Sequence, residues 1–316
     1  MNESGSNISG TERVLGLRGH PLGGNRLAVL GSPIAHSHSP ALHAAAYSVL
    51  GRDWNYSRVE VNEQGLGEYL TSRDETWRGL SLTMPLKRAV LPFLTAVDTL
   101  ASDLGVVNTV LFAREGLYGF NTDVEGIVRV LAANGATRVS CVQVIGAGAT
   151  AASALVAAAA MGARNVEVYA RDTAKAKWLQ VIADRFTVQL RICPMLSLEH
   201  SEMIPGVVVS TLPGAAAEGL HVREEMRRTS VLLDAAYDPW PSPLALAWHQ
   251  VGGRVVSGIG MLIHQALIQI RIFVTGDPLM PLENEPAVLE AMFRALHVDE
   301  AGLPRGNGNV RGSVGA

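Results

Sequence analysis

Residues 139–151 read Val-Ser-Cys-Val-Gln-Val-Ile-Gly-Ala-Gly-Ala-Thr-Ala, an apolar run that stops at a glycine pair and passes at once into an alanine-rich stretch. The run reads as a strand, the glycines as a tight turn, and the alanines as the start of a helix packed back on that strand. Gly146 would make the turn, Gly148 would let backbone approach a diphosphate, and Ala151 would let helix and strand come close, with phosphate over the helix N-terminus. We read Gly146, Ala147, Gly148, Ala149 and Thr150 as a dinucleotide site. Glycines closing an ordinary strand-to-helix turn are the alternative.

What surrounds this unit bounds its partners. The 316 residues are enough for about two domains, each with its own core. A net charge of -3 and a pI near 6.3 leave no basic footprint for nucleic acid, and no Lys/Arg run suggests an anionic membrane, so the expected partner is a small molecule. The two cysteines, Cys141 and Cys193, make neither a disulfide framework nor a metal spacing, which suits a reducing cytoplasm. The uncharged stretch 139–163 is long enough to cross a bilayer, but its glycines and small residues suit a βα unit better. No signal-peptide pattern opens the chain, and residues 1–24 and 301–316 read as flexible tails.

Ahead of the glycine turn, strands alternate with helices. A strand at 27–30 leads into Gly-Ser-Pro-Ile-Ala-His-Ser-His-Ser-Pro and a helix at 41–50, with Ser39 expected as N-cap and Pro40 as first helical residue. Ser37 and Ser39 can both donate hydroxyls to a carboxylate there, or simply cap. His36, His38 and His43 lack an acidic or cysteine companion, so no metal is expected.

After a strand at 54–61 and a helix at 64–72, a third strand at 79–83 ends in Met-Pro-Leu-Lys. Thr83 or Met84 is expected to cap the next helix, with Pro85 in its first turn. Lys87 would then stand where a helix dipole is positive, either turned to solvent or held for proton exchange.

A strand at 106–111 carries two polar interruptions, Asn108 and Thr109, of which one should face a cavity unless both bond across strands. Gly-Phe-Asn-Thr-Asp at 119–123 opens a helix, capped by Asn121 or Thr122, with Asp123 in its first turn. An aspartate is what any helix start favours. Its company is notable, since a lysine and an aspartate each begin a helix after a short turn in the same half.

Beyond the glycine turn, a helix at 150–161 precedes a strand at 165–170, which ends in Tyr-Ala-Arg. An NAD site would place Asp or Glu there for the ribose 2′-hydroxyl, whereas Arg171 can bond a 2′-phosphate bidentately and Lys175 can add charge if Thr173 begins a helix. NADP is therefore expected over NAD. Asp172 could still reach a ribose if the turn is displaced, and Arg171 could be a solvated turn residue. Short apolar strands follow at 188–192, 206–210, 230–236 and 254–257, the mark of parallel strands covered on both faces. Tyr237 then stands at the carboxyl end of a strand, where open α/β sheets bind ligand. Residues 258–276 form a helix apolar on most faces, hence buried, in which Gln265 needs either a structural partner or a ligand. A last helix is expected at 285–296.

These motifs resemble, in order from residue 28 to 276, those of the shikimate dehydrogenase family. The serine loop resembles its substrate-carboxylate loop, implying that Ser37 and Ser39 bind the acid group. Ser-Leu-Thr-Met-Pro-Leu-Lys resembles its catalytic turn, implying Lys87 as the proton-transfer residue and Thr83 as a substrate contact. Val-Asn-Thr at 107–109 and Asn-Thr-Asp at 121–123 imply that Asn108 and Asp123 hold substrate hydroxyls, with Asp123 paired to Lys87. Tyr237 and Gln265 match further substrate contacts. Thr211, Gly258 and Met261 join the turn residues, Arg171 and Lys175 on the cofactor side. Three departures stand out: Ser81 replaces a usual Asn, Ala149 a third glycine, and Ala-Arg-Asp at 170–172 an Asn-Arg-Thr.

The implied fold is α/β in two domains: a mixed α/β substrate domain at 25–123 plus 258–300, and a Rossmann-like doubly wound parallel-sheet NADP domain at 124–257. The implied function is NADP-dependent reversible reduction of 3-dehydroshikimate to shikimate, by a cytoplasmic monomer or homodimer. An NAD-dependent quinate/shikimate dehydrogenase is the near alternative. A catalytically silent NADP-binding sensor or interaction protein is the remote one, disfavoured because a sensor has no use for a proton donor.

Overall fold

The computed structural model describes residues 23–305. The first half runs β1 (Arg26–Gly31), α1 (Ser39–Val49), β2 (Asn55–Glu60), α2 (Leu66–Thr71), β3 (Trp77–Leu82), α3 (Leu86–Ala89), β4 (Ala96–Val97), α4 (Thr99–Leu104), β5 (Thr109–Ala113) and β6 (Gly116–Phe120). Then come α5 (Asp123–Ala133), β7 (Cys141–Ile145), α6 (Ala149–Ala160), β8 (Asn165–Ala170), α7 (Thr173–Ala176), α8 (Trp178–Arg185) and β9 (Gln189–Pro194). The second half closes with β10 (Val207–Ser210), α9 (Glu224–Thr229), β11 (Val231–Asp234), α10 (Pro243–His249) and β12 (Arg254–Ser257), before α11 (Gly258–Thr275) and α12 (Glu285–Ala295).

Two six-stranded sheets result. The first has the order β2-β1-β3-β5-β6-β4 and is mixed: β1 pairs in parallel with β2 and β3, while β5 runs antiparallel to β3 and β6. The second has the order β9-β8-β7-β10-β11-β12 with every pair parallel. Numbered within that sheet, the order is the doubly wound 3-2-1-4-5-6, so its topological switch lies between β7 and β10. All four residues of β10 and of β11 are buried, which is why these strands read as apolar runs up to a polar last residue, Ser210 and Asp234.

α11 carries the chain back to the first sheet. Among the described residues it is the one helix long and apolar enough to cross a membrane, and 83% of it is buried inside the fold. It packs on α1, α5 and α12 and on strands β3 and β5. Two glycines set its approach to α5. A Cβ at Gly126 would lie 2.8 Å from Gln265 Cβ, and one at Gly260 would lie 2.6 Å from Val130 Cγ2. One apolar cluster runs from Leu104 and Val106 through α5 and α6 into β7, so the end of α4 and α5 pack onto the second sheet's core.

The structure departs from the sequence expectations at several ends. β5 begins at Thr109 rather than 106, because 106–108 forms an irregular connection tied by Val107 N–H to the Lys87 carbonyl (2.8 Å) and Asn108 N–H to the Phe120 carbonyl (3.0 Å). β4 and β6 carry no clear sequence signal, because β4 is two residues long and β6 has two glycines among its five residues. The expected tails lie mostly outside the described residues, but their inner ends are not loose. The Gly24 carbonyl accepts from Arg78 Nε at 2.7 Å, Ser257 N–H donates to the Ala301 carbonyl at 2.8 Å, and Gly302 sits against Gly260 in a left-handed conformation (φ 72°) that a side chain would resist.

Candidate active site

Lys87 lies in α3, a single four-residue turn, and Asp123 is the first residue of α5. Lys87 Nζ stands 2.6 Å from Asp123 Oδ2, with the two side chains only 12% and 5% exposed, so the solvated reading of this lysine is excluded. The other carboxylate oxygen, Oδ1, accepts from Asn108 Nδ2 at 2.8 Å. Asn108 is itself fixed: its Oδ1 accepts from Thr122 N–H and Thr109 Oγ1, both at 2.9 Å. Gln265, from α11, accepts from Thr122 Oγ1 (3.2 Å) and Asn108 Nδ2 (3.3 Å), and donates to the Leu262 carbonyl at 2.8 Å. An ammonium, a carboxylate and two amides from four separate segments thus converge.

The start of α5 is capped from outside the helix. Asn121 Oδ1 accepts from the N–H groups of Asp123 (3.0 Å) and Val124 (3.3 Å), while its Nδ2 donates to the Val106 carbonyl and to Ser153 Oγ on α6. α3 lacks the expected side-chain cap. Neither Thr83 nor Met84 supplies one, and Pro85 occupies the cap position itself, because the Thr83 carbonyl already takes the Leu86 N–H.

The serine loop follows β1. Ser37 and Ser39 are both buried, but Ser39 is not the N-cap of α1. The helix starts at Ser39, His38 precedes it, and Ser37 Oγ accepts the Ser39 N–H at 3.3 Å. The loop is drawn onto the catalytic turn by Ser32 N–H to the Met84 carbonyl (3.0 Å) and by Gly31, where a Cβ would lie 2.4 Å from Thr83 Cγ2. Tyr237, arriving from the end of β11, stands with its ring 5.6 Å from that of His38, and burial raises its phenol above the usual value. The three neighbouring histidines diverge: His36 faces Asp238, His38 faces Tyr237, and His43 is stacked on Tyr56 in the core.

Ser81 is buried in a chain of hydrogen bonds, taking the Tyr56 hydroxyl (2.6 Å) and donating to Gln269 Oε1 (2.7 Å). Its one proton is therefore spent inside the protein, and only an acceptor lone pair remains for a ligand.

At the switch point, Gly146 adopts φ 111°, and a Cβ there would lie 2.3 Å from Thr211 Oγ1. Thr211 follows β10 and bonds the Ile145 carbonyl through both N–H (2.8 Å) and Oγ1 (3.1 Å). At Gly148 the space is open, with nothing within 4 Å of an added Cβ. Ala149 is the first residue of α6, so its methyl meets no left-handed backbone, and Thr150 follows it half-buried. This combination fits a dinucleotide diphosphate: a tight turn, an open glycine and the free N–H groups of a twelve-residue helix.

β8 pairs with β7 through Ile145 and Tyr169, which brings exposed Arg171 beside the turn. Asp172 is occupied: its Oδ1 accepts the N–H groups of Ala174 and Lys175 at 3.0 Å, capping α7 and holding its carboxyl below the usual range. Lys175 Nζ reaches the same carboxylate at 3.8 Å. Gly258 lies against Ala235, whose carbonyl oxygen would be 2.2 Å from a Cβ. Met261 is 7% exposed, packed in the cluster formed by α5, α6 and the second sheet, leaving little of it for a cofactor.

Residues 29–110 match the family model described as the shikimate dehydrogenase substrate binding domain. The chain is 30% identical over 265 residues to the shikimate dehydrogenase (NADP(+)) of Halothermothrix orenii, covering 80% of this chain and 91% of that one. The crystal structure of Mycobacterium tuberculosis shikimate dehydrogenase superposes with a TM-score of 0.76 at 37% identity, over 85% of this chain and 99% of that one. This chain belongs to the shikimate dehydrogenase family. A further family structure, the Thermus thermophilus enzyme in complex with NADP(H) and shikimate, is 29% identical with a TM-score of 0.71, over 86% and 99% of the two chains.

Within this shikimate dehydrogenase fold, sequence reasoning missed Gln269, Tyr56 and Trp178. Gln269 carried a readable signal, since it lies one turn beyond Gln265 on the same face of α11. Its Nε2 donates to the Asn108 carbonyl (3.2 Å) and to Thr109 Oγ1 (3.0 Å), which joins the Ser81 chain to the site. Tyr56 and Trp178 gave no signal, because an aromatic in an apolar pattern reads as core.

Proposed function

We propose that this chain is an NADP-dependent shikimate dehydrogenase that reversibly reduces 3-dehydroshikimate to shikimate. The observation that carries the reading is the buried Lys87–Asp123 pair, held at 2.6 Å, in a chain of this family. Relatives are named for this activity, and one is described in complex with both NADP(H) and shikimate.

NADPH, when bound, supplies the hydride that reaches the carbonyl carbon. Lys87 then gives a proton to the oxygen, completing the alcohol, and regains one from solvent; acid catalysis of this kind is typically worth about 10²–10⁴-fold. Asp123 keeps the ammonium aimed, and Asn108 keeps Asp123 in place. Ser37 and Ser39 are assigned to the substrate carboxylate, Thr83, Tyr237 and Gln265 to its remaining contacts, and Ser81 to accepting a hydrogen bond only. Residues 146–150, Thr211, Arg171 and Lys175 would hold the cofactor, with the guanidinium on the 2′-phosphate. The first sheet with α11 and α12 forms the substrate domain, and the second sheet the NADP domain, in keeping with strands at 26–120 and 141–257. We place the enzyme in the cytoplasm.

Initial rates with shikimate and with quinate, each with NADP and with NAD, test this directly. Shikimate with NADP should be the fastest pair. Preference for quinate with NAD would replace the reading by its near alternative, and absence of turnover in all four would replace it by a binding protein.

A further inference from the structure

Trp178 is the first residue of α8, in the second half of the chain, and is half-buried between two functional segments. Its indole Nε1–H points at the carbonyl of Ala147, the middle residue of the glycine turn, at 3.4 Å. On its face lies Arg88, whose guanidinium carbon is 4.5 Å from the ring centroid. Arg88 follows Lys87 in α3. One aromatic ring therefore touches both the turn assigned to the cofactor and the helix that carries the proton donor. A second link between the same regions, the Asp103–Arg185 ion pair, joins α4 to the end of α8.

We propose that Trp178 is a positioning residue that fixes the Ala147–Gly148 peptide plane for the cofactor diphosphate, with Arg88 locking the indole in place from the side of Lys87. This rests on the proposed NADP-dependent function. The physical reason is peptide planarity. The bond is trans, since the cis bonds among the described residues all precede prolines, so the Ala147 carbonyl and Gly148 N–H point in opposite directions. Holding the carbonyl on the indole side sets that N–H toward the opposite side. Gly148 is exposed, and no atom lies within 4 Å of where its Cβ would be, so backbone can be approached there. A glycine-flanked peptide is otherwise free to rotate. Without the indole, the turn would have to be ordered by the cofactor itself, at a cost in affinity.

Trp178→Phe removes the indole N–H together with the pyrrole ring and keeps a six-membered aromatic face for Arg88, so a lost hydrogen bond to the turn is told from lost packing by which parameters move. Direct titration of NADPH should show its dissociation constant raised about three- to tenfold in W178F, the worth of one hydrogen bond. The KM for NADP should rise with it, while kcat at saturating cofactor and the KM for shikimate stay as in wild type. Arg88→Gln, at an exposed position, should raise the NADPH dissociation constant by a smaller factor, about two- to fivefold, with R88K intermediate. Wild-type NADPH affinity in W178F would overturn the proposal while leaving the enzyme reading intact. So would a fall in Tm with kcat and both KM values changed together, the mark of a packing residue. Failure of the wild-type protein to bind NADPH would overturn the enzyme reading and the proposal with it.

Discussion

Asn108 Nδ2 lies 2.8 Å from Asp123 Oδ1, while Lys87 Nζ takes the opposite carboxylate oxygen at 2.6 Å. The carboxylate is thus clamped between an amide and an ammonium, so its direction is set from both sides. Removing the amide should loosen the dyad without touching its charges. Asn108→Ala is expected to lower kcat and also to cost about 1–3 kcal/mol of stability, because Thr109 Oγ1 and Thr122 N–H lose a buried acceptor. Steady-state kinetics beside urea unfolding would check both. An unchanged kcat would mean that Asp123 does not need the clamp.

Lys87→Ala should bind NADP and shikimate yet lose about 10²–10⁴-fold in kcat. Turnover within a few fold of wild type would remove Lys87 as the proton donor. Calorimetric titration with shikimate separates that loss from a binding defect.

Arg171→Ala should raise the KM for NADP about tenfold or more, because a guanidinium bonds a 2′-phosphate through two charge-assisted hydrogen bonds. The KM for NAD, which lacks that phosphate, should hold steady. Equal effects on both cofactors would place Arg171 elsewhere than at the 2′ position.

Two buried histidines make the fold sensitive to acid. Burial pushes His43 down to about 3 and His264 down to about 4, and neither ring nitrogen of the latter has a hydrogen-bond partner among the described residues. Unfolded, each takes a proton near 6.5, so between that value and the folded one the unfolded state holds more protons and stability rises with pH. Taking the protein from pH 7 to pH 5 should therefore cost about 2 kcal/mol per histidine. His264→Leu should remove about that much of the slope in urea unfolding at the two pH values. A slope equal to wild type would show that His264 charges without unfolding.

Gly126→Ala should cost about 1–3 kcal/mol, since the added methyl meets Gln265 Cβ at 2.8 Å and neither helix backbone can yield. A helix would ordinarily favour that change. Thermal unfolding with a raised Tm would show that α5 and α11 can separate locally.

The sequence alone determined the local facts. The strand, glycine turn and helix at 141–160, the parallel strands beyond it, the long buried helix from residue 258, and the lysine and aspartate at two helix starts all follow from periodicity and turn residues a few positions apart. Tertiary structure decided every partner. That Lys87 meets Asp123 across 36 residues, that Gln269 takes the proton of Ser81 across 188, and that Asp172 caps a helix rather than reaching toward a ribose depend on where whole segments come to rest. A repeat pattern says which face of an element is buried. A polar side chain's hydrogen bonds depend on distance and direction to atoms that the chain brings near only on folding, and a pattern carries no such coordinates.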